Sequence, residues 1–139
     1  MQVTVTLRTV QTMDGESERM EQTACGTLDF LDSGVKLQYQ ELPQDGEDGA
    51  VVTVTVRGDQ TVIDRRGSTV SQILLETGKR HICRYDTPYG RLMLHTRTSR
   101  LSSEFVGGNG KISAAYALEM NDMQTDHEIE IQVKEVSPC

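Results

Sequence analysis

The chain has 139 residues, of which 36% are hydrophobic and 25% charged, and its 14 basic and 21 acidic side chains give a formal charge of −7. A chain of this length buries enough surface for one domain, which excludes a small scaffold that depends on metal or disulfides. No apolar run approaches the ~18 residues of a membrane span, and no basic and then apolar segment follows Met1. We therefore expect a single domain over residues 1–139, located in the cytoplasm.

Charge is distributed unevenly along the sequence. Between Arg57 and Arg100 there are nine basic and four acidic residues, a balance of +5, which leaves five basic and seventeen acidic residues elsewhere, a balance of −12. An acidic protein repels nucleic acid and anionic membranes at long range, whereas a local basic region can still receive a small anion. We expect neither a nucleic-acid nor a membrane partner.

Alternation of apolar and polar residues with a period of two runs through most of the chain and predicts half-buried β-strands. In chain order the apolar members are Val3, Val5 and Leu7; Met20, Ala24, Leu28 and Phe30; Val35, Leu37 and Tyr39; Val52, Val54 and Val56; Ile112, Ala114, Tyr116, Leu118 and Met120; and Ile129, Ile131 and Val133. Residues 70–77 blur this period. A helix of about two turns would be marginal in water, so a buried strand is the preferred interpretation there.

Turns rich in glycine, asparagine and aspartate separate these runs, and about ten strands joined in this way predict an antiparallel meander. The acidic turn at residues 44–48 is too short to divide the chain into domains. One open sheet of ten strands would leave edges that invite pairing with other chains, whereas closure into a barrel removes them. We therefore predict an all-β fold, a single antiparallel up-and-down β-barrel of about ten strands. Few bulky side chains are available to fill it, which favours an internal cavity.

The cysteines give no sign of a metal site. Cys25, Cys83 and Cys139 are too few and too far apart for zinc, and an odd number in a chain without an export signal indicates free thiols. Cys25 and Cys83 lie in strand-like runs, so we expect both to be small buried residues.

Other motifs for catalysis or cofactors are missing as well. The stretch at residues 107–113 lacks the spacing of a phosphate-binding loop, because Phe105 occupies the position of its first glycine. His81, His95 and His127 have no second ligand at a metal-binding spacing, and no serine stands in a strained nucleophile turn. We expect no metal, no cofactor and no enzymatic activity.

The sharpest local signal is a hairpin at residues 85–90. Pro88 suits the second position of a type I turn and Gly90 a following left-handed residue. With a symmetric four-residue turn, Asp86 opposes Arg91, and one face carries four arginines, a histidine and one acid. With a three-residue loop and a bulge at Gly90, Asp86 opposes Leu92 and the cations divide between the faces. The sequence leaves both registers open.

The role of the cations depends on that register. One interpretation is a solvated outer face with scattered ion pairs. The other is an anion-receiving patch inside the barrel or at its mouth, where arginine offers paired donors to a carboxylate or phosphate. The candidate ligand-binding residues are Arg80, Arg84, Arg91, His95 and Arg97, together with Tyr85 and Tyr116.

Several segments are similar to a known family. The most specific are Arg66-Gly67-Ser68-Thr69-Val70, then Gly78, Tyr85, Thr87-Pro88-Tyr89-Gly90 and the alternating Leu92, Leu94 and Thr96, with weaker support from Tyr116-Ala117-Leu118 and Ile129-Glu130-Ile131. On these residues the chain resembles the YwiB-like bacterial family, a domain of unknown function with a calycin-like barrel. The resemblance implies a cytoplasmic antiparallel barrel related in topology to lipocalins and fatty-acid-binding proteins, with a strand at residues 70–77. It implies no activity, substrate or catalytic residue.

Three hypotheses about function follow. The first is a non-enzymatic barrel that binds a small apolar or amphipathic molecule, with any anionic head near the arginines. The second is a solid-cored structural or interaction barrel that forms a homodimer through a strand edge or apolar patch and binds no small molecule. The third and least favoured is an enzyme that uses His81 or His95 beside the arginines.

Overall fold

A computed structural model describes residues 1–41 and 49–136, and ten strands account for nearly all of them. The acidic turn at residues 44–48 and Cys139 lie outside the described residues. The strands are β1 (Gln2–Met13), β2 (Glu16–Leu31), β3 (Gly34–Gln40), β4 (Val51–Arg57), β5 (Gln60–Arg66), β6 (Val70–Glu76), β7 (Arg80–Thr87), β8 (Gly90–Val106), β9 (Asn109–Met120) and β10 (Met123–Glu135).

The strands form one closed antiparallel barrel. Each strand pairs with its neighbours in the sequence, and β1 pairs with β10 to complete the ring. The prediction of an all-β, ten-stranded up-and-down barrel is confirmed. Residues 70–77 are confirmed as strand rather than helix, since β6 spans Val70–Glu76 and buries Leu75 completely.

Alternate residues of each strand face the barrel interior and form its core. The pairing of β1 with β10, for example, places Val5 opposite Val133 and Leu7 opposite Ile131. Each large aliphatic side chain taken from water contributes about 1.5–3 kcal/mol. The hydrophobic residues no more than 1% exposed are Val3, Val5, Leu28, Leu37, Val52, Val54, Leu75, Ile112, Ala114, Ile131 and Val133.

The two described cysteines face opposite sides of the wall. Cys83 is buried, as expected, but the expectation that Cys25 is buried is wrong. Cys25 pairs with Thr4 in the row that faces away from the core, one residue out of step with the inward pair Val5 and Ala24. A shift of one residue along a strand reverses the face, which is why a strand-like setting alone did not locate this thiol.

Two strands reach past their neighbours. β2 pairs with β1 from residue 16 onward but with β3 only between residues 26 and 31. β8 pairs with β7 only as far as Arg97 and continues alongside β9 to Val106. The two overhangs lie at opposite ends of the barrel, because β2 extends toward the β1–β2 turn and β8 toward the β8–β9 turn. The free part of β2 therefore stands at the end that carries the β7–β8 and β9–β10 turns.

The wall between β6 and β7 is completed by side chains instead of a regular ladder. These strands pair directly only through Val70, Ser71 and Gln72. Farther along, the Thr96 hydroxyl of β8 donates a hydrogen bond to the Leu74 carbonyl oxygen at 2.8 Å, and the Glu76 N–H donates to Thr98 Oγ1 at 3.2 Å. Both threonines are at most 1% exposed. Buried hydroxyls thus satisfy backbone groups that lack a strand partner.

Candidate functional site

The candidate site is a cavity of about 250 Å³ at the open mouth of the barrel, between β1 and the β7–β10 wall. It is lined by Gln11, Tyr85, Leu92, Leu94, Leu118, Met120, Met123, Thr125 and His127. Five of these nine side chains are large and aliphatic or thioether, so the cavity is mainly apolar with a few polar groups, which is the usual character of a small-molecule site.

The strand registers explain why these side chains meet. Leu118 pairs with Thr125 and Met120 with Met123 across β9 and β10, so all four lie on the inward face. At this height the inward side chains lie beyond the close-packed core. Met123 is 56% exposed, and Leu92 on β8 is 41% exposed although it too points inward. Inward apolar surface is therefore left open to water at the mouth.

His127 lines the cavity and contacts Tyr116, its partner across β9 and β10. The two rings stack at 5.1 Å between centroids with 7° between their planes, and His127 Nε2 lies 2.8 Å from Thr125 Oγ1. Burial lowers the pKa of His127 below its usual value, which favours the neutral imidazole at neutral pH. Burial also raises the pKa of Tyr116 to about 12, so this phenol stays protonated.

A charged pair stands on the opposite wall. Arg65 on β5 binds Glu41 with both arms of its guanidinium, Nε to Oε1 at 3.0 Å and Nη2 to Oε2 at 2.8 Å. The Glu41 hydrogen bond raises the pKa of Arg65. Successive pairings place Arg65 in one inward row around the barrel, a row composed of Tyr39, Val52, Arg65, Ser71, Tyr85 and Leu92. Arg65 therefore faces inward on the wall opposite the cavity, and its guanidinium is already bound to the Glu41 carboxylate.

The hairpin at residues 85–90 adopts the symmetric register. Asp86 pairs with Arg91 and Thr87 with Gly90, which leaves Pro88 and Tyr89 at the tip. Gly90 has a φ of 136°, which favours glycine. The same register puts Tyr85 inward and Asp86 outward, so it decides the face of every cation in the hairpin.

The seven candidate ligand-binding residues consequently do not form one site. Arg80, Arg84, Arg91, His95 and Arg97 share the outward face of β7 and β8. Tyr85 lines the mouth cavity, and Tyr116 is on the inward face opposite His127, with its ring stacked on the imidazole. The register puts the arginines and the two tyrosines on opposite faces of the sheet, so grouping all of them in one site is wrong, although Arg97 and Tyr116 border the same depression of about 510 Å³. The interpretation of an anion-receiving patch inside the barrel is likewise wrong for these four arginines.

The outward arginines are held by acids instead. Asp86 contacts Arg84 at 3.0 Å and Arg91 at 2.9 Å, while Glu119 contacts Arg80 at 3.3 Å and Arg97 at 3.5 Å. Hydrogen bonds from Arg91 and Arg84 and the charges of both lower the pKa of Asp86 against the opposing effect of desolvation, which is the largest single influence. This arrangement matches the interpretation of a solvated, ion-paired outer face.

The two histidines of the basic region also separate. His95 faces outward opposite Ile82, whereas His81 lies in the inward row opposite Thr96 and holds Glu76 at 2.9 Å. The hydrogen bond from His81 lowers the pKa of Glu76. The convergence of a histidine and two arginines in one cleft, which the enzyme hypothesis requires, is not found in the described part of the chain.

Two further depressions are present, and the larger one shares His127 with the mouth cavity. One of about 420 Å³ lies at the other end of the barrel near Thr61 and Ser103, and one of about 510 Å³ lies along β8, β9 and β10 near Ser99 and Glu128. Within residues 1–41 and 49–136, no cluster of three histidine, cysteine or acidic side chains could hold a metal ion. The same residues contain no helix of the length and apolarity that crossing a bilayer requires.

Sequence reasoning missed most of the cavity. Gln11, Met123, Thr125 and His127 stand at inward positions of β1 and β10, and Arg65 stands at an inward position of β5. Extending the period-two alternation past the apolar core would have identified them. All of them except Met123 are polar or charged, and this hid the pattern, because an inward row is easily recognised only while its members are apolar.

Comparison with known proteins gives a consistent picture. Residues 5–131 match the family model described as "Domain of unknown function (DUF1934)". The chain is similar to the "Uncharacterized beta-barrel protein YwiB" of Bacillus subtilis (strain 168), with 27% identity over 122 residues that cover 88% of this chain and 84% of that protein. The crystal structure of ywiB protein from Bacillus subtilis superposes with a TM-score of 0.87 at 24% identity and covers 98% of this chain and 92% of that one. The structural likeness shows the fold.

Proposed function

Because the chain belongs to the family described as DUF1934, whose function is unknown, we propose a role from its own geometry: it binds a small apolar or amphipathic molecule at the mouth of the barrel, without catalysis. One observation carries the proposal, the ring of inward apolar side chains that surrounds a cavity of about 250 Å³ and remains open to water. Its place at the mouth of a barrel is a common position for ligand sites.

The chemistry of the lining supports an apolar ligand. Covering exposed apolar surface stabilises a complex by about 25 cal/mol for each Å² removed from water. Met120 and Met123 are unbranched and adapt to differently shaped ligands. The cavity lies slightly below the ~300 Å³ at the lower end of ligand pockets, so the ligand is small or projects through the open mouth.

The polar groups favour a neutral head over a free anion. His127 is held neutral by burial, which lowers its pKa, and Gln11 and Tyr85 are uncharged hydrogen-bonding groups. Arg65 is the inward cation on the opposite wall, and its guanidinium is already bound to the Glu41 carboxylate. A hydroxyl or amide head therefore suits this mouth better than a carboxylate, which modifies the expectation of an anionic head near the outer arginines.

The test uses two neighbouring residues on opposite faces. Leu92 points into the cavity and is 41% exposed, while Met93 points outward and is 54% exposed. We would titrate the wild type, Leu92→Lys and Met93→Lys with N-phenyl-1-naphthylamine, an uncharged dye that fluoresces in apolar sites, and compete it with aliphatic alcohols and acids of equal length. An ammonium in the cavity should weaken dye binding at least about tenfold, or 1.4 kcal/mol, in the first variant only.

Two outcomes would overturn the proposal. The first is the absence of saturable dye or alcohol binding by the wild type, with native mass spectrometry of freshly purified protein showing only the bare chain. The second is an equal loss of binding in both lysine variants, which would place the dye elsewhere. Tighter competition by acids than by alcohols would refute the preference for a neutral head while leaving the site in place.

A second candidate is a protein-interaction barrel with no small-molecule ligand. The small cavity and the closely packed core around Leu37, Val54 and Ile131 favour it. Its signature in the same experiment is a wild type that binds no dye yet associates with itself.

A further inference from the structure

The second edge of β2 over residues 16–25 has no strand partner among the described residues. Its first edge pairs with β1 throughout, and β3 joins the second edge only from Gly26 onward. An unpaired strand edge presents a row of N–H and C=O groups that another strand can use. Ten residues exceed the ~5–6 of a typical strand, and proteins usually keep exposed strand edges short. A free edge of this length therefore calls for a partner strand.

The sequence of this edge is complementary to itself. If two copies pair antiparallel about a two-fold axis at Met20, then Met20 meets its own equivalent and Arg19 meets Glu21 of the second copy, twice. Glu18 then opposes Gln22, and Ser17 opposes Thr23. Opposite charges directly across an antiparallel pair are stabilising, and like charges are destabilising.

Neighbouring registers lose this match. Moving the axis by one residue places Arg19 against Arg19 in one direction and Glu21 against Glu21 in the other. Of these three registers, the one centred on Met20 is the one that places opposite charges across from each other and brings the two Met20 side chains into contact.

The side chains are available for this pairing. Arg19 makes no ion pair with any residue in the described part of the chain, and Glu21 contacts Arg8 through Oε2 alone. Met20 lies in the inward row but is 44% exposed, because no strand beside it covers the surface. Each missing partner is one that a second copy would supply.

We propose that the free edge of β2 is a homodimer interface, in which two copies pair antiparallel about a two-fold axis at Met20. The contact is isologous and closes on itself, so it produces a dimer and not a filament. This proposal is independent of the ligand site and stands whether or not the cavity binds a molecule.

The test is a charge exchange across the axis. Arg19→Glu sets two glutamates against each other at both symmetric positions, and Glu21→Arg does the same with two arginines. Each variant alone should dimerise at least about tenfold more weakly than the wild type, because two attractive pairs become repulsive. An equimolar mixture restores both Arg–Glu pairs and should form mixed dimers, which native mass spectrometry identifies by mass.

Arg100→Glu is the matched control, because Arg100 is an exposed arginine on the other overhanging strand, β8. It should leave the dimer unchanged in sedimentation at about 1–100 µM, a range that detects micromolar dissociation constants. Circular dichroism confirms that every variant is folded. The proposal fails if the wild type is monomeric at the highest concentration, if the single variants dimerise normally, if the mixture stays monomeric, or if Arg100→Glu is the variant that dissociates.

Discussion

Thr96→Val tests how the barrel wall is closed between β6 and β7. Thr96 is completely buried, and its hydroxyl donates a 2.8 Å hydrogen bond to the carbonyl oxygen of Leu74, where β6 has left its regular pairing with β7. Valine has nearly the same shape, so the change removes the hydrogen bond without opening a large cavity. The Leu74 carbonyl would then lose its side-chain partner within the wall.

The expected loss of stability follows from this geometry. Leaving a buried acceptor unpaired costs about 1–3 kcal/mol, and we take about 2 kcal/mol as the central value. With an unfolding entropy of about 2.1 cal/mol/K per residue, the 139-residue chain has about 0.3 kcal/mol/K in total, so Tm should fall by about 7 °C. Differential scanning calorimetry measures Tm directly, and urea unfolding gives the free energy.

Thr55→Val is the matched control, because Thr55 faces outward on β4, is half-exposed and makes no side-chain hydrogen bond with the described residues. Its free energy of unfolding should change by less than about 0.5 kcal/mol. If Thr96→Val is as stable as Thr55→Val, the hydroxyl bridge contributes nothing and the account of the wall is wrong.

Two further predictions concern ionisable groups of the mouth. Burial lowers the pKa of His127, so below about pH 6.5 the unfolded chain binds more protons at this site than the folded chain does. The free energy of unfolding therefore decreases as the pH is lowered. Urea unfolding at pH 7.5 and 5.5 should therefore show a smaller loss for His127→Gln than for the wild type; an identical loss would contradict this reading. Glu41→Gln should destabilise by about 1 kcal/mol, a value kept low because the Arg65 side chain is 41% exposed and screened by water. Asp64 pairs with the more exposed Arg66, so Asp64→Asn should not measurably change the free energy of unfolding. Equal losses of stability in the two variants would show that the Arg65–Glu41 pair contributes no more than a surface ion pair.

Alternation of apolar residues was sufficient to predict the barrel. Val52, Val54 and Val56 show the pattern, since each is buried in β4 while the threonines between them face outward. The physical reason is local, because successive side chains of a strand must point to opposite faces. Closure of the barrel followed from the same sequence, because an open sheet of ten such strands would leave two full-length edges unpaired.

The candidate site depended on register, which is not local. Whether Arg84 or Tyr85 points inward turns on one residue at the hairpin tip, and both alternatives satisfied the turn propensities of Pro88 and Gly90. The structure has the symmetric turn, which buries Cys83 and leaves the arginines in water. Burying Cys83 and Tyr85 costs far less than burying arginines, so desolvation accounts for this outcome.

The sequence by itself determined the class of fold, the number of strands and the closed topology, because these follow from a period of two and from turn residues that act within a few positions. Only the tertiary structure decided which strands overhang, that the inward rows carrying Arg65 and His127 end at the same mouth, and that β2 keeps an open edge next to it. These features arise from differences in strand length and from pairings between residues far apart in the chain. No local preference encodes them, since each depends on where the neighbouring strand begins.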